Sequence, residues 1–344
     1  MATEELAPAP VPTGLIVVRP RRQSTASWPL IDRVGYWLCW ATGVALCLIA
    51  VGIVLFMLVK GISYLRPALF VHSPAPSIQQ NQSGGFLDPI VGTLILTALG
   101  MVIAAPLGIA LATWLSEYAR PPQLARAVES GIEMIAGIPS VVLAIFGLLV
   151  FSQTALGFLS QSAANGSVYG RSFFAAGAMM AILALPLIVG ATREALSQVP
   201  DRMREASYAL GKTKASTIWH VLFPAIRPGM ASGVVLGMSR IIGDTAIVTI
   251  LLGATLTTEG VGSAPVIGTL RGTGSTLTSY VYNNSPAGEG NSHEKAYAAA
   301  FVLLMLVLAL NALVTRLTGG ARERSSGRTG GSGLTRLRRL AWTR

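Results

Sequence analysis

The sequence predicts an all-α polytopic membrane protein with six transmembrane helices. Three observations carry that expectation. Of 344 residues, 52% are hydrophobic and only 12% are charged, where a soluble domain carries about 25%. Mean hydropathy is +0.58. The apolar residues gather into six runs, each near the roughly 20 residues that a helix needs to cross a bilayer. So little charge cannot cover a soluble surface of this size, and so much apolar content excludes a disordered chain.

The first run spans about Tyr36–Val59 and reads as an uncleaved first helix, because it starts late and is too long for a signal-peptide core. Cys39 and Cys47 lie in it eight residues apart, about 12 Å along a helix and too far for a disulfide. The second run covers about Ile90–Tyr118, the third Gly131–Phe151, the fourth Phe173–Thr192, the fifth Met230–Ala254 and the sixth Tyr297–Leu317. Pro106, Pro139 and Pro186 sit inside three of them. Residues 1–35 and 318–344 form polar tails flanking the spans, both read as flexible. Basic residues such as Arg336, Arg338 and Arg339 are placed to touch anionic lipid.

The net charge of +11 follows the topology. With the N-terminus inside, twenty of the 26 Lys and Arg residues fall in the inner tails and loops. Only Lys60, Arg66, Arg171, Arg271 and Lys295 fall outside, and Arg240 lies within a span. The positive-inside rule then puts both termini in the cytoplasm. Charge divided in this way gives no nucleic-acid surface. His72, His220 and His293 are scattered over three loops and form no metal-binding pattern.

The inner loop 193–229 carries the most information. Pro200 and Asp201 suit a helix start, and Gly211 suits the position after a helix end. A second helix is expected from about Ala215 to Phe223, stopped by Pro224. Met203, Ala206 and Leu210 share one face of the first helix; Ile218, Val221 and Leu222 share one face of the second. The pattern describes an amphipathic knob shaped for a groove on another protein. Leu210-Gly211-Lys212-Thr213 imitates the end of a phosphate-binding loop, but Ala206 stands where that motif needs glycine, and no strand precedes it. ATP binding by this chain is therefore rejected.

Glu205-Ala206-Ser207, Gly211, Val221 and Phe223-Pro224 reproduce the spacing of the signature loop of ABC importer permeases, with Ser207, Val221 and Phe223 as mild departures. Further segments resemble the phosphate-specific permeases of that family, the PstA-type subunit in particular. They are Gly84-Gly85-Phe86 with Asp88–Thr93, Ile132–Val142, Ser239–Ala246 and Glu294–Ala300. The resemblance covers roughly residues 84–316. It implies the type I ABC importer permease fold in a bacterial inner membrane and a non-catalytic transport subunit. It also implies coupling to an ATPase through Glu205, Ala206, Ser207, Gly211, Val221, Phe223 and Pro224. The implied partners are a PstC-type permease, a PstB-type ATPase dimer that binds the ATP and a PstS-type phosphate-binding protein. The chain itself is expected to hold no cofactor or metal. Permeases for sulfate or molybdate, and a proton-coupled transporter, are the alternatives.

Arg240 falls in the middle of the fifth run, where a cation needs a partner or a water-filled path. Asp244 follows four residues later, on the same helix face. Two readings fit: a structural ion pair, or an oxyanion site in which the guanidinium fork matches phosphate oxygens. Asp244 in that site can accept the proton that phosphate retains and sulfate lacks. The family ends this motif Gly-Glu-Thr, whereas here it reads Gly243-Asp244-Thr245. Glu133, in the third run, is read as a partner for Arg120 or Arg126, as an interhelical bond or as part of the pathway. Gly137-Ile138-Pro139-Ser140 should break its helix. Ser140, Thr93 and Thr245 complete the pathway candidates, with structural bonding between helices as their alternative role. The outer loop 255–294 contains a mildly amphipathic patch, Leu277, Tyr280 and Val281, which invites a binding-protein contact or plugs the outer mouth.

Overall fold

A computed structural model describes residues 30–62, 65, 67–72, 85–160, 169–253, 269–285 and 293–329. Most of both predicted tails, and the rest of the two long outer loops, lie outside the described residues. Two compact units divide the chain, Met1–Leu55 and Phe56–Arg344. In the first, the described part is helix α1 (Leu30–Gly61) up to Leu55. Its side chains are exposed, and Tyr36, Trp37 and Trp40 stack edge to face at 5.9 and 6.2 Å between ring centroids.

The second unit is a helix bundle. Helix α2 (Leu87–Thr113) runs on through a wider turn, Trp114–Tyr118, with i→i+5 bonding. Then come α3 (Pro122–Gly137), α4 (Ser140–Phe151), α5 (Phe173–Ser197), α6 (Asp201–Ala209), α7 (Lys214–Thr217) and α8 (Phe223–Gly243). The last three are α9 (Ala246–Leu251), α10 (Leu277–Asn284) and α11 (His293–Thr329). Among the described residues, five helices are long and apolar enough to cross a membrane, and a bent pair, α3 with α4, makes a sixth candidate.

Helices α2, α5 and α8 form the packed centre. Ile188 of α5, fully buried, enters two notches where side chains are missing. A Cβ on Gly108 of α2 would lie 2.7 Å from Ile188 Cγ2, and one on Gly237 of α8 would lie 2.9 Å from its Cγ1. Small residues let membrane helices approach until dispersion contacts hold them, since lipid already solvates apolar surface. Pro106 and Pro186 stay inside α2 and α5 without ending them.

The third run breaks at Gly137–Pro139 as expected, into two helices meeting at 105°, but the first begins at Pro122 rather than Gly131. Gly137 weakens the helix, and Pro139 forces Ile138 into extended backbone (φ −72°, ψ 128°). Helix α4 alone, with 12 residues, spans only about 18 Å. The fifth run is not one helix over 230–254: α8 ends at Gly243, Asp244 is extended (φ −82°, ψ 125°), and α9 restarts at Ala246.

Pro224 does not stop the second loop helix. Lys214 to Gly243 is continuous, with a wide turn at Ile218–Leu222. Pro224 follows directly on that wide turn, whose shifted bonding, with Phe223 N–H donating to Ile218 O, accommodates the missing N–H. The patch at Leu277 is a helix, opened by a capping box between Thr276 and Ser279. The predicted tail from 318 begins as helix, since α11 runs to Thr329.

The ends of these helices settle the path of the chain. Glu117, at the end of α2, bonds Arg204, just past the end of α5. At the opposite end, a Cβ on Gly92 of α2 would lie 3.5 Å from the Phe173 ring at the start of α5. Helices α2 and α5 therefore run in the same direction. The segment between them must carry the chain back across, so the bent pair serves as a crossing.

Candidate functional site

The two helix breaks meet. A cavity of about 550 Å³ is lined by Val141, beside Ser140 at the start of α4, and by Thr245, Ala246, Thr249 and Ile250 around the second break. Helix α10 supplies Thr278, Val281 and Tyr282, and Ser285 follows it. The broken backbone lies where it faces a cavity, as an interrupted membrane helix requires. The second break lies near the middle of α2: Ile241, three residues before Asp244, abuts Gly100.

Arg240 is thus in the last turn of α8 rather than in the middle of a continuous helix. Asp244 has left the helix, so the two do not share a helical face. Arg240 Nη2 stands 3.9 Å from Asp244 Oδ2, an ion pair too long for a hydrogen bond. Asp244 is buried, at 4% side-chain exposure, and its Oδ1 accepts from the backbone N–H of Ile247 at 3.0 Å. One carboxylate oxygen therefore caps α9 and the other faces Arg240. The Arg240 side chain is 48% exposed and makes no hydrogen bond among the described residues, so its fork of donors is open. This arrangement can hold an oxyanion against the guanidinium, with a carboxylate oxygen beside it.

The other predicted residues are dispersed. Thr93 is buried; its hydroxyl donates to Pro89 O at 2.7 Å and accepts from Leu277 N–H at 2.9 Å. It pins the start of α10, one residue before Thr278 of the cavity wall. Glu133 is exposed on α3 and has no ionic partner among the described residues. The expected pairing with Arg120 or Arg126 is replaced by Glu129 with Arg193 at 2.5 Å. Ala125, Val128 and Ile132 pack against α2 and α5, and it is Glu129 that reaches across to Arg193.

The connecting loop is built as two limbs around a corner. Gly211 has φ +75°, a conformation that costs a residue with a Cβ about 1–2 kcal/mol. Glu205 and Ala206 are exposed on α6 beside Met203, Tyr208 and Leu210. Ser207 points inward, and its hydroxyl meets that of Thr217 at 2.9 Å across the corner. Ile218 and Leu222, expected on an outward face, are buried with Leu196, Val199 and Ile226. Ile218 and Leu222 therefore anchor the second limb, while both limbs carry exposed surface, Trp219 of the second limb being 68% exposed. Val221 and Phe223 are half-buried and Pro224 is exposed.

Residue spacing gave no signal for several members. Thr249, Thr278, Tyr282 and Ser285 of the cavity wall are polar residues without periodicity. Arg204 and Glu117 meet from 87 positions apart.

The fold and the site define a permease-type helix bundle: interrupted helices around a cavity, and an exposed two-limbed connector. Residues 104–322 match the family described as binding-protein-dependent transport system inner membrane component. The chain belongs to that family. It is 31% identical over 261 residues to the phosphate transport system permease protein PstA 1 of Mycobacterium tuberculosis, covering 75% of this chain and 78% of that one. It is 30% identical to the phosphate transport system permease protein PstC of Xylella fastidiosa, covering 71% of this chain and 75% of that one. The fold is shared with a bacterial alginate ABC transporter crystallised with its pentasaccharide-bound periplasmic protein. That comparison has a TM-score of 0.57 and 17% identity, covering 83% of this chain and 94% of the other.

Proposed function

We propose that this chain is one of two permease subunits of an ATP-driven importer of inorganic phosphate. The observation that carries the reading is identity of about 30% to phosphate transport permeases over most of the chain. The open Arg240 fork beside Asp244, at the central helix break, supports it. Phosphate at neutral pH keeps a proton to give to Asp244 Oδ2, whereas sulfate would leave that buried acceptor unpaired. Ser140, Thr245 and the cavity beside them form part of the path. Thr93 acts on it through α10, and Glu133 lies at its inner approach.

Transport of this kind needs a second permease of PstC type, a PstB-type ATPase pair and a PstS-type binding protein. Nucleotide is bound and hydrolysed by the ATPase, and this chain supplies no catalytic residue or cofactor site. Glu205, Ala206, Ser207, Gly211, Val221, Phe223 and Pro224 make the contact through the connector, which faces the cytoplasm with both termini. The membrane is the bacterial inner membrane.

The test is copurification with the candidate ATPase, followed by reconstitution in liposomes with the binding protein. Phosphate should stimulate ATP hydrolysis and enter the vesicles, and neither sulfate nor molybdate should compete. Uptake that persists without the ATPase and collapses with the proton gradient would reject the reading in favour of secondary transport.

A further inference from the structure

The loop-side ends of α2 and α5 are each met by a cation from a different limb of the connector. A helix end leaves carbonyls without partners and carries partial negative charge. At the end of α2, Lys214 Nζ donates to the carbonyl of Glu117 and stands 4.7 Å over the Tyr118 ring. At the end of α5, Arg204 donates to Leu196 O at 3.1 Å and to Val199 O at 2.8 Å. The Arg204 guanidinium also reaches Glu117 Oε1 at 3.2 Å, so Glu117 joins both limbs.

Solvent screens this cluster weakly: side-chain exposure is 17% for Arg204 and 7% for Glu117. A further bond, Arg204 to Asp201, has its acid 87% exposed and adds little. Arg204 lies on α6 and Lys214 opens α7; the Ser207–Thr217 hydroxyl contact closes the two limbs on each other. Beneath them, Leu196, Ile218, Leu222 and Ile226 form an apolar floor. A slack loop would absorb a push on its exposed face. This one is fastened at two helix ends, and those helices interlock through Gly108 and Ile188.

We propose that Arg204 and Lys214 form a double joint that fastens the connector to α2 and α5, so that displacement of the loop moves both helices as one body. Both are positioning residues that act through Glu117 and the helix carbonyls. The inference rests on the reading above, in which an ATPase pushes this loop.

The experiment uses the full complex with its ATPase, partner permease and binding protein in proteoliposomes. Phosphate moved per ATP hydrolysed is compared for Arg204→Gln, Glu117→Gln and Lys214→Met. The expected result is a fall of about tenfold or more in that ratio for Arg204→Gln. The ATPase should still copurify, and the charge exchange R204E/E117R should recover part of the ratio. Glu117→Gln keeps an acceptor oxygen and serves as the gentler variant where Arg204→Gln folds poorly. An unchanged ratio in both variants overturns the joint, as does loss of the ATPase from the complex, which would assign these residues to docking. If the unsubstituted complex moves no phosphate, the transport reading fails instead. Amide exchange over 201–217 then decides the joint: faster exchange in Arg204→Gln supports it, and unchanged exchange overturns it.

Discussion

Asp244 has two oxygens with different duties, and they can be separated by substitution. Asn keeps an oxygen that accepts from Ile247 N–H but removes the charge facing Arg240. Asp244→Ala should cost about 1 kcal/mol through loss of the cap, and Asp244→Asn much less, read as the thermal midpoint of the purified protein. Phosphate uptake should fall in both. Uptake unaffected by Asp244→Asn would leave only the structural role. Ser207→Ala installs the residue that the family signature carries and removes the hydroxyl contact to Thr217. It should cost about 0.5–1.5 kcal/mol in thermal stability. Arg240 and Asp244 were legible in the sequence because charge stands out in an apolar run. The bond from Leu277 N–H to Thr93 was not legible, since its partners are 184 positions apart and both are ordinary residues.

Helix boundaries show where local chemistry suffices and where it does not. The break before Ser140 was legible, because Gly137 and Pro139 act on their own backbone. The break at Asp244 was hidden, because the apolar run continues on both sides of it and a capping carboxylate decides the matter. Pro224 misled for a related reason: its effect depends on the turn it occupies, and the wide turn before it lets the helix continue through it. The glycines of α2 and α5 offer a controlled comparison. Gly108 has Ile188 against it, whereas nothing lies within 4 Å of a Cβ on Gly190. Gly108→Ala should destabilise the bundle by about 1–3 kcal/mol through overpacking. Gly190→Ala should stabilise it by about 0.5–1 kcal/mol through helix propensity. Thermal unfolding of the two variants in one detergent checks both signs; equal shifts would show that Ile188 does not lock these helices.

The number of crossings is a property of the whole chain. Five long helices alone would leave the chain ends on opposite sides, and the bent pair restores an even count. The contact of Glu117 with Arg204 requires that return. Reporter fusions at both termini and within 201–217 should therefore all report the same side of the membrane. A terminus reporting the opposite side would show that the bent pair turns back without crossing.

Apolar run length determined the class of protein and the approximate number of its spans, because bilayer thickness acts on composition alone. The connector's spacing pointed to the family in the same way, with Gly211 marking the corner. Tertiary structure decided what touches what. It brought two helix breaks to one cavity, gave Asp244 a cap to hold and turned Ile218 and Leu222 inward. It also set Arg204 and Lys214 on the ends of two helices. These outcomes depend on partners far apart in the chain, which only packing brings together.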